Sequence, residues 1–453
     1  MLENYKKIHI IGIGGISLSG IALILKSLGK EVTGTDRHLS MTTKSLENKG
    51  IKVVKDFCEE FVKQADLVVY TSAITEKDED FNFAKKYNKK TISRAELLGE
   101  LTKDFYTISI AGSHGKTTAT ALIGYIFSCA NKNPTIHAGG IMNNTNSSVV
   151  VGQGKYFITE ACEYKDSFLH LKNDISIILN EDADHLDYFK NEVNYYKSFQ
   201  NFANNTKKNG VLIINNDNCK LNKKELNLNI FTYGIDKKAD LQAKNLQMLD
   251  NGCWQFEVFY LGLSFGQIKL GILGKHNIYN ALCAVAVGII CQIPLAILKS
   301  AIENFEGVKR RLEFITDLNG AVIIHDYAHH PKEIISSINT CKDLGKKRLI
   351  TIFQPHTYSR TRDLYYEFCS SFKESDEVWL LPIYPAREKP LPKITSLFLA
   401  KGIKNYNKNV RYFSNFEKCF SFINKIADKD CLFLILGAGD IEELAYKFKR
   451  DDK

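Results

Sequence analysis

The apolar run Tyr106–Ala111 leads straight into Gly112-Ser113-His114-Gly115-Lys116-Thr117-Thr118 and then into the helical pattern Ala119-Thr120-Ala121-Leu122-Ile123. A strand that feeds a helix through a glycine turn is a strong constraint on fold, because it calls for an α/β arrangement with the turn at the carboxyl edge of a sheet. The turn also aims several backbone N–H groups, plus the positive end of the helix dipole, at one point. It reads as a phosphate cradle in which Lys116 adds a point charge and the Thr117 hydroxyl can ligate Mg2+. The standard loop places its first glycine six positions before the lysine. Here that position is Ile110, so the loop is a shortened variant. A plain strand-to-helix turn is the competing reading, and the flanking strand and helix favour phosphate.

The same alternation recurs along the chain. A strand at residues 8–11 is followed by Gly12-Ile13-Gly14-Gly15-Ile16-Ser17 and by a helix that turns Ile21, Leu25 and Leu28 toward a core. A second strand at 32–35 then ends at Asp36. This is a Rossmann-like opening. Ser17 occupies the place of the third glycine, and Asp36 lies where an acidic residue would meet a ribose hydroxyl. A pyrophosphate-containing ligand at the helix start fits these residues, and so does a tight turn with a solvated Asp36. Another strand at 67–71 leads to Ser72-Ala73-Ile74, and the first domain is expected to span 1–104. The phosphate loop opens a second α/β domain, 105–311, with strands at 156–159, 175–179 and 211–214 and a β-alternating, glycine-punctuated excursion over 253–273. A third, 312–453, follows Lys309-Arg310-Arg311 and has strands at 321–324, 348–352, 378–381 and 432–436. Three domains suit 453 residues. The expected fold class is α/β, with mostly parallel sheets.

Composition narrows the setting. The formal charge of +9 is spread along the chain without a block of like charge, so no nucleic-acid-binding arm is expected. Eleven cysteines without a Cys-x-x-Cys pair point to reduced thiols rather than a disulfide framework or zinc site. The charged N-terminus leads directly into a strand, which suggests a cytoplasmic protein. Residues 281–298 are apolar enough to invite a membrane reading. Pro294 and the alanine content instead favour a buried helix ending near Gln292 and a second helix starting at Pro294, with no membrane insertion. Nothing in the pattern distinguishes a monomer from a dimer.

Chemistry-bearing residues collect where strands end. Glu160 and Glu163 follow the strand at 156–159, where a carboxylate can hold a hard cation. The next strand ends in Asn180-Glu181-Asp182-Ala183-Asp184-His185-Leu186-Asp187, whose crowded carboxylates would repel one another without a cation or partner. A second Mg2+ site involving His185 and a solvated acidic turn are the two readings. The loop beside them favours the metal. In Gly274-Lys275-His276-Asn277-Ile278-Tyr279-Asn280, the amides of Asn277 and Asn280 share one helix face, suited to a purine edge or a phosphate-bridged network; helix capping by Asn277 is the alternative. Asp326-Tyr327-Ala328-His329-His330-Pro331 and Gln354-Pro355-His356-Thr357-Tyr358-Ser359-Arg360 close two further strands. His329 and His330 read as packing or hydrogen-bonding residues, whereas Arg360 can form a bidentate pair with a substrate carboxylate.

Taken together, in this order, the Gly12 turn, the Gly115-Lys116-Thr117 loop, Glu160, Asp184-His185, His276-Asn277, Arg311, Asp326 and Arg360 resemble the Mur ligase family over essentially the whole chain. The stretches at 160–168, 184–189, 326–331 and 354–360 look like the branch of that family that attaches L-alanine to UDP-N-acetylmuramate in peptidoglycan precursor synthesis. The resemblance implies a UDP-sugar-binding N-terminal domain, a central ATP-binding domain and a C-terminal domain closing over the amino acid. It replaces the dinucleotide at the glycine turn with a UDP pyrophosphate, held by Gly12, Gly14, Gly15, Ser17, Asp36 and Ser72. It assigns ATP to Gly112, Ser113, His114, Gly115, Lys116, Thr117, Thr118, His276, Asn277 and Asn280, and Mg2+ to Thr117, Glu160 and His185. Lys116, Glu160, His185, Asn277, Arg311 and Asp326 are the expected catalytic group, and His356 and Arg360 the expected alanine contacts. Two departures stand out: Ser113 replaces the family's more common threonine, and Thr357 stands where many members carry arginine.

Overall fold

Residues 2–71, 74, 78–183, 185–386 and 388–450 are described by the computed structural model; Ser72 and Asp184 lie outside them. The first sheet is wholly parallel, with Lys52–Lys55, Glu31–Asp36, Lys7–Ile11, Leu67–Tyr70 and Lys90–Ser93 side by side in that order. Chain order reverses on either side of Lys7–Ile11, and ligands of open α/β sheets bind at such a reversal. The Gly12 turn sits at the carboxyl end of that central strand.

Among the described residues, ten strands form the second sheet. Tyr106–Ala111 lies in its interior, between the parallel strands Asn173–Ile178 and Tyr156–Glu160. Beyond Tyr156–Glu160 come Thr135–Met142, parallel to it, and then the antiparallel edge Ser147–Val150. The excursion over 253–273 is two strands, Cys253–Tyr260 and Leu263–Leu273, joined through Leu261 and Gly262, both with left-handed backbone. The apolar stretch at 281–298 is two helices, Asn277–Ile290 and Leu295–Glu303, with Pro294 capping the second. No helix among the described residues is long and apolar enough to cross a membrane. All eleven cysteines are free thiols.

The third sheet runs Glu313–Leu318, Ala321–Asp326, Cys431–Leu436, Arg348–Phe353, Glu377–Leu380 and Val410–Tyr412, antiparallel at its first pair and parallel thereafter. Both faces are covered. Leu432, Leu434 and Leu436 join one apolar layer, and Cys431, Phe433 and Ile435 the other. This explains why the strand reads as an unbroken apolar run rather than an alternating one. The chain forms two compact units: one of Met1–Gln247, Gln255–Ile272 and His276–Gly307, the other of Met248–Trp254, Leu273–Lys275 and Val308–Lys453.

One core residue of the second unit carries a pH consequence. His325 is fully buried in strand Ala321–Asp326, and among the described residues neither ring nitrogen has a hydrogen-bond partner. Burial, then the charges of Arg310 and Lys449, push its pKa down to about 3. The unfolded chain, with an imidazole near 6.5, therefore takes up a proton first as pH falls, so this contribution is intact above about 6.5 and shrinks below it. Between pH 7.5 and pH 5 the native protein is expected to lose about 2 kcal/mol through this residue alone. A His325→Phe variant should lose correspondingly less over that interval in chemical denaturation; identical losses would show that His325 is not the acid-labile group.

Candidate functional site

The strand Tyr106–Ala111 and the helix Lys116–Cys129 meet at a turn that accepts little besides glycine where its glycines stand. Gly112 has φ +144°, and a Cβ there would lie 3.1 Å from the Leu179 Cβ. Gly115 has φ +84°, and its Cβ would lie 2.9 Å from Asn280 Oδ1. The loop is pinned from the next strand end: Asn180 Oδ1 accepts from His114 N at 2.9 Å, while its Nδ2 donates to His114 O at 3.0 Å. Ser113 donates to Asp182 O at 2.6 Å and lies 2.7 Å from the Tyr195 hydroxyl. Thr117 and Thr118 are buried in the first helical turn.

Lys116 folds back over this turn. Its ammonium donates to the carbonyls of Gly112 and Ser113 and lies 3.0 to 3.1 Å from both carboxylate oxygens of Glu163. Burial presses Lys116 toward neutrality, but the neighbouring carboxylates, Glu163 first, more than offset it and hold its pKa above the ordinary lysine range. The lysine is thus a fixed cation. Glu163 is only 2% exposed, and among the described residues its Oε2 has no aligned hydrogen-bond donor, which leaves an unfilled acceptor beside the loop.

Glu160, at the end of its strand, accepts from Gly139 N; a Cβ on Gly139 would sit 2.7 Å from Glu160 Oε2. His185 has left-handed backbone, its ring centroid lies 4.8 Å from that of Tyr164, and its Nε2 is 3.9 Å from Glu163 Oε1. Among the described residues no three His, Cys, Asp or Glu side chains gather as a protein cage for a metal. Mg2+ keeps several waters and is commonly held by one or two carboxylates together with substrate phosphates. The hydroxyl of Thr117 and the carboxylate of Glu160 supply oxygen donors of that kind.

Asn277 and Asn280 are both buried and hydrogen-bonded to each other at 2.8 Å. His276 is the helix N-cap and Asn277 the first helical residue, so Asn277 is not the cap. In the first sheet, Gly12 has φ +77°, and Asp36 accepts from Gly14 N at 2.9 Å and from His38 N at 3.0 Å. Asp36 therefore braces the turn through backbone amides. Ser17 lies in the first turn of the helix Ile16–Ser27.

The remaining predicted residues lie in the second unit. Asp326 is buried and accepts from Leu312 N at 3.2 Å and Ala328 N at 2.9 Å. Burial pushes its carboxyl up, against the pull of the Arg311 charge. Arg311 is exposed, with its guanidinium 5.4 Å from the Tyr327 ring. His356 Nδ1 lies 3.0 Å from an Arg360 guanidinium nitrogen, between the rings of His329 and Tyr384. Pro331 opens the helix Pro331–Lys342, as expected, and His330 and Glu333 form its capping box.

Several residues of these clusters escaped the site prediction. Glu163 reads in the sequence as a strand-end carboxylate, and nothing in its spacing marks it as the counter-charge of Lys116. Arg310, rather than its neighbour, binds back into its own unit: it donates to Gly437 O and Gly439 O and pairs with Glu442 at 3.0 Å. Asn180 was readable only as part of an acidic run, and a strand-end amide opposite the loop is the signal that could have singled it out.

Residues 7–106 match the Mur ligase family catalytic domain, 110–288 the Mur ligase middle domain and 310–439 the Mur ligase glutamate ligase domain. The chain is 42% identical to a UDP-N-acetylmuramate–L-alanine ligase of Caldanaerobacter subterraneus, covering 100% of this chain and 99% of that protein. It is 40% identical to the ligase of the same name from Clostridium tetani, covering 97% of each. Among solved structures it is similar to a UDP-N-acetylmuramate-alanine ligase from Thermotoga maritima, with a TM-score of 0.83 at 25% identity, covering 98% of this chain and 99% of that one.

Proposed function

The chain belongs to the Mur ligase family, and from that premise we propose that it uses ATP to join L-alanine to the lactyl carboxylate of UDP-N-acetylmuramate in peptidoglycan precursor synthesis. What carries the choice of substrate is the full-length 42% identity to a ligase of that name. The geometry supplies the chemistry. A carboxylate resists attack by an amine because it is anionic and lacks a leaving group. Transfer of the ATP γ-phosphoryl group to the lactyl oxygen gives an acyl phosphate and ADP; the alanine amine then attacks the acyl carbon and expels phosphate, leaving an amide.

Negative charge builds first on the transferring phosphoryl group and then on a tetrahedral oxyanion, so preorganised cations and N–H donors are what the reaction needs. Lys116 is such a cation, held at the mouth of the loop. A phosphate entering the turn competes with Glu163 for it. Mg2+, when bound, neutralises charge on the phosphate oxygens, and Thr117, Glu160 and His185 are the residues that would hold it. Gly112, Ser113, His114, Gly115 and Thr118 complete the phosphate cradle. His276, Asn277 and Asn280 attend the adenine side, and Arg311 at the hinge and Asp326 in the C-terminal domain are the further nucleotide contacts we propose. Gly12, Gly14, Gly15, Ser17, Asp36 and Ser72 hold the UDP-sugar, and His356 and Arg360 the alanine. The working domains are 1–104, 105–311 and 312–453. A cytoplasmic location agrees with eleven unpaired thiols.

The test is phosphate release from ATP with Mg2+ and UDP-N-acetylmuramate, with and without L-alanine, together with the mass of the sugar nucleotide. Alanine-dependent release and a product heavier by one alanyl residue are expected. Release that responds to the tripeptide L-Ala-D-Glu-diaminopimelate and not to alanine would reassign the acceptor, and no release from folded protein would overturn the reading.

A further inference from the structure

The third glycine of a dinucleotide-type fingerprint permits close packing beneath the helix. This chain has Ser17 there, and its hydroxyl is met from the central domain. His137, on strand Thr135–Met142, is 4% exposed. Its Nε2 lies 3.1 Å from Ser17 Oγ and 3.2 Å from Ser17 O, and its Nδ1 lies 3.0 Å from Thr159 Oγ1. Room for the ring comes from Gly20, one helical turn on, where a Cβ would lie 3.3 Å from the imidazole.

The proton can be placed by elimination. A carbonyl oxygen only accepts, so the contact with Ser17 O requires the hydrogen on Nε2. Nδ1 then accepts from the Thr159 hydroxyl, whose other acceptor, Glu160 O, is more distant at 3.2 Å. Ser17 Oγ also accepts from an Arg94 guanidinium nitrogen at 3.2 Å. The one Nε2 hydrogen is shared between Ser17 O and Ser17 Oγ; with that hydrogen and Arg94 turned toward its lone pairs, the Ser17 hydroxyl has its own hydrogen left to donate.

We infer that His137 is a positioning residue for the sugar-nucleotide substrate: it turns the Ser17 hydroxyl into a donor aimed at a pyrophosphate oxygen at the Gly12 turn. The inference rests on the reaction proposed above and adds a residue outside the glycine turn. The same pair of strands holds the carboxylate of the phosphate site. His137 is the register partner of Thr159, and Gly139, two residues further on, donates to Glu160. A single strand therefore ties the sugar-nucleotide turn to Glu160.

The experiment is steady-state kinetics of His137→Leu, His137→Gln, Ser17→Gly and the His137→Leu/Ser17→Gly double variant, with 15N NMR of the wild-type imidazole. His137→Leu and Ser17→Gly are each expected to raise KM for UDP-N-acetylmuramate roughly tenfold, the scale of one hydrogen bond to a charged group. KM for ATP and L-alanine should stay within about twofold. The double variant should be no worse than the worse single, and His137→Gln, which keeps an N–H donor, should recover most of the loss. Equal increases in all three KM values, multiplicative losses in the double variant, or a proton found on Nδ1 would overturn the assignment. Should His137→Leu fail to fold, an unchanged KM in Ser17→Gly overturns it equally. A wild-type protein that shows no alanine-dependent phosphate release would instead sink the reaction itself, while the NMR result would still report the tautomer.

Discussion

Lys116→Ala is expected to lower alanine-dependent phosphate release by roughly three orders of magnitude, the upper range seen when one preorganised charge or donor is removed from a transition state. The lysine is a side-chain cation in direct contact with the loop carbonyls, and its charge is secured by the Glu163 pair. The same pair predicts a second effect. Removing Lys116 strands a carboxylate that is 2% exposed, and breaking one side of a buried ion pair costs about 3 to 5 kcal/mol. Lost turnover in the single variant would therefore mix chemistry with instability. The Lys116→Ala/Glu163→Gln double variant separates them, because its amide carries no uncompensated charge. Chemical denaturation should show most of the stability restored, with turnover still absent. Near-normal turnover in either folded variant would remove Lys116 from the mechanism.

What the sequence made legible was local. The strand entering Gly112, the Gly12 turn and the apolar run at 432–436 declare themselves through apolar runs and turn residues within a dozen positions. The split of 281–298 at Pro294 was readable for the same reason. Strand Thr135–Met142 was not, since its glycines and His137 break the apolar pattern, and it is held between two partners, Tyr156–Glu160 and Ser147–Val150. Contacts across long separations were equally hidden. Glu163 is 47 residues from Lys116, and His137 is 120 from Ser17. Between adjacent arginines the backbone decides: Arg310 and Leu312 both have positive φ, and this sends Arg310 to Gly437 and Gly439 and leaves Arg311 exposed. No periodicity encodes that choice.

At the other end of the reaction, Arg360→Ala should raise KM for L-alanine about a hundredfold and leave KM for ATP within about twofold. Alanine offers an enzyme one carboxylate, one amine and a methyl group. A guanidinium that grips the carboxylate with two parallel N–H bonds supplies about 2 to 3 kcal/mol, which is that factor. The orientation of Arg360 is set by its own unit. Thr357, with φ 66°, caps the short helix Tyr358–Asp363 through its side chain, and His356 Nδ1 accepts from the guanidinium at 3.0 Å. Burial, followed by the Arg360 charge, pushes the His356 pKa down to about 4, so the imidazole remains neutral and accepting throughout the physiological range. Thr357 thus serves this chain as a cap, and Arg360 is the cation this strand end offers. Arg360→Lys keeps the charge and loses the planar fork, so it should fall between wild type and alanine, near a tenfold rise in KM. If Arg360→Lys matches wild type, simple charge suffices and the bidentate reading fails. If Arg360→Ala raises KM for ATP as much as for alanine, Arg360 belongs to the nucleotide, and the amino-acid contact must be sought at another residue.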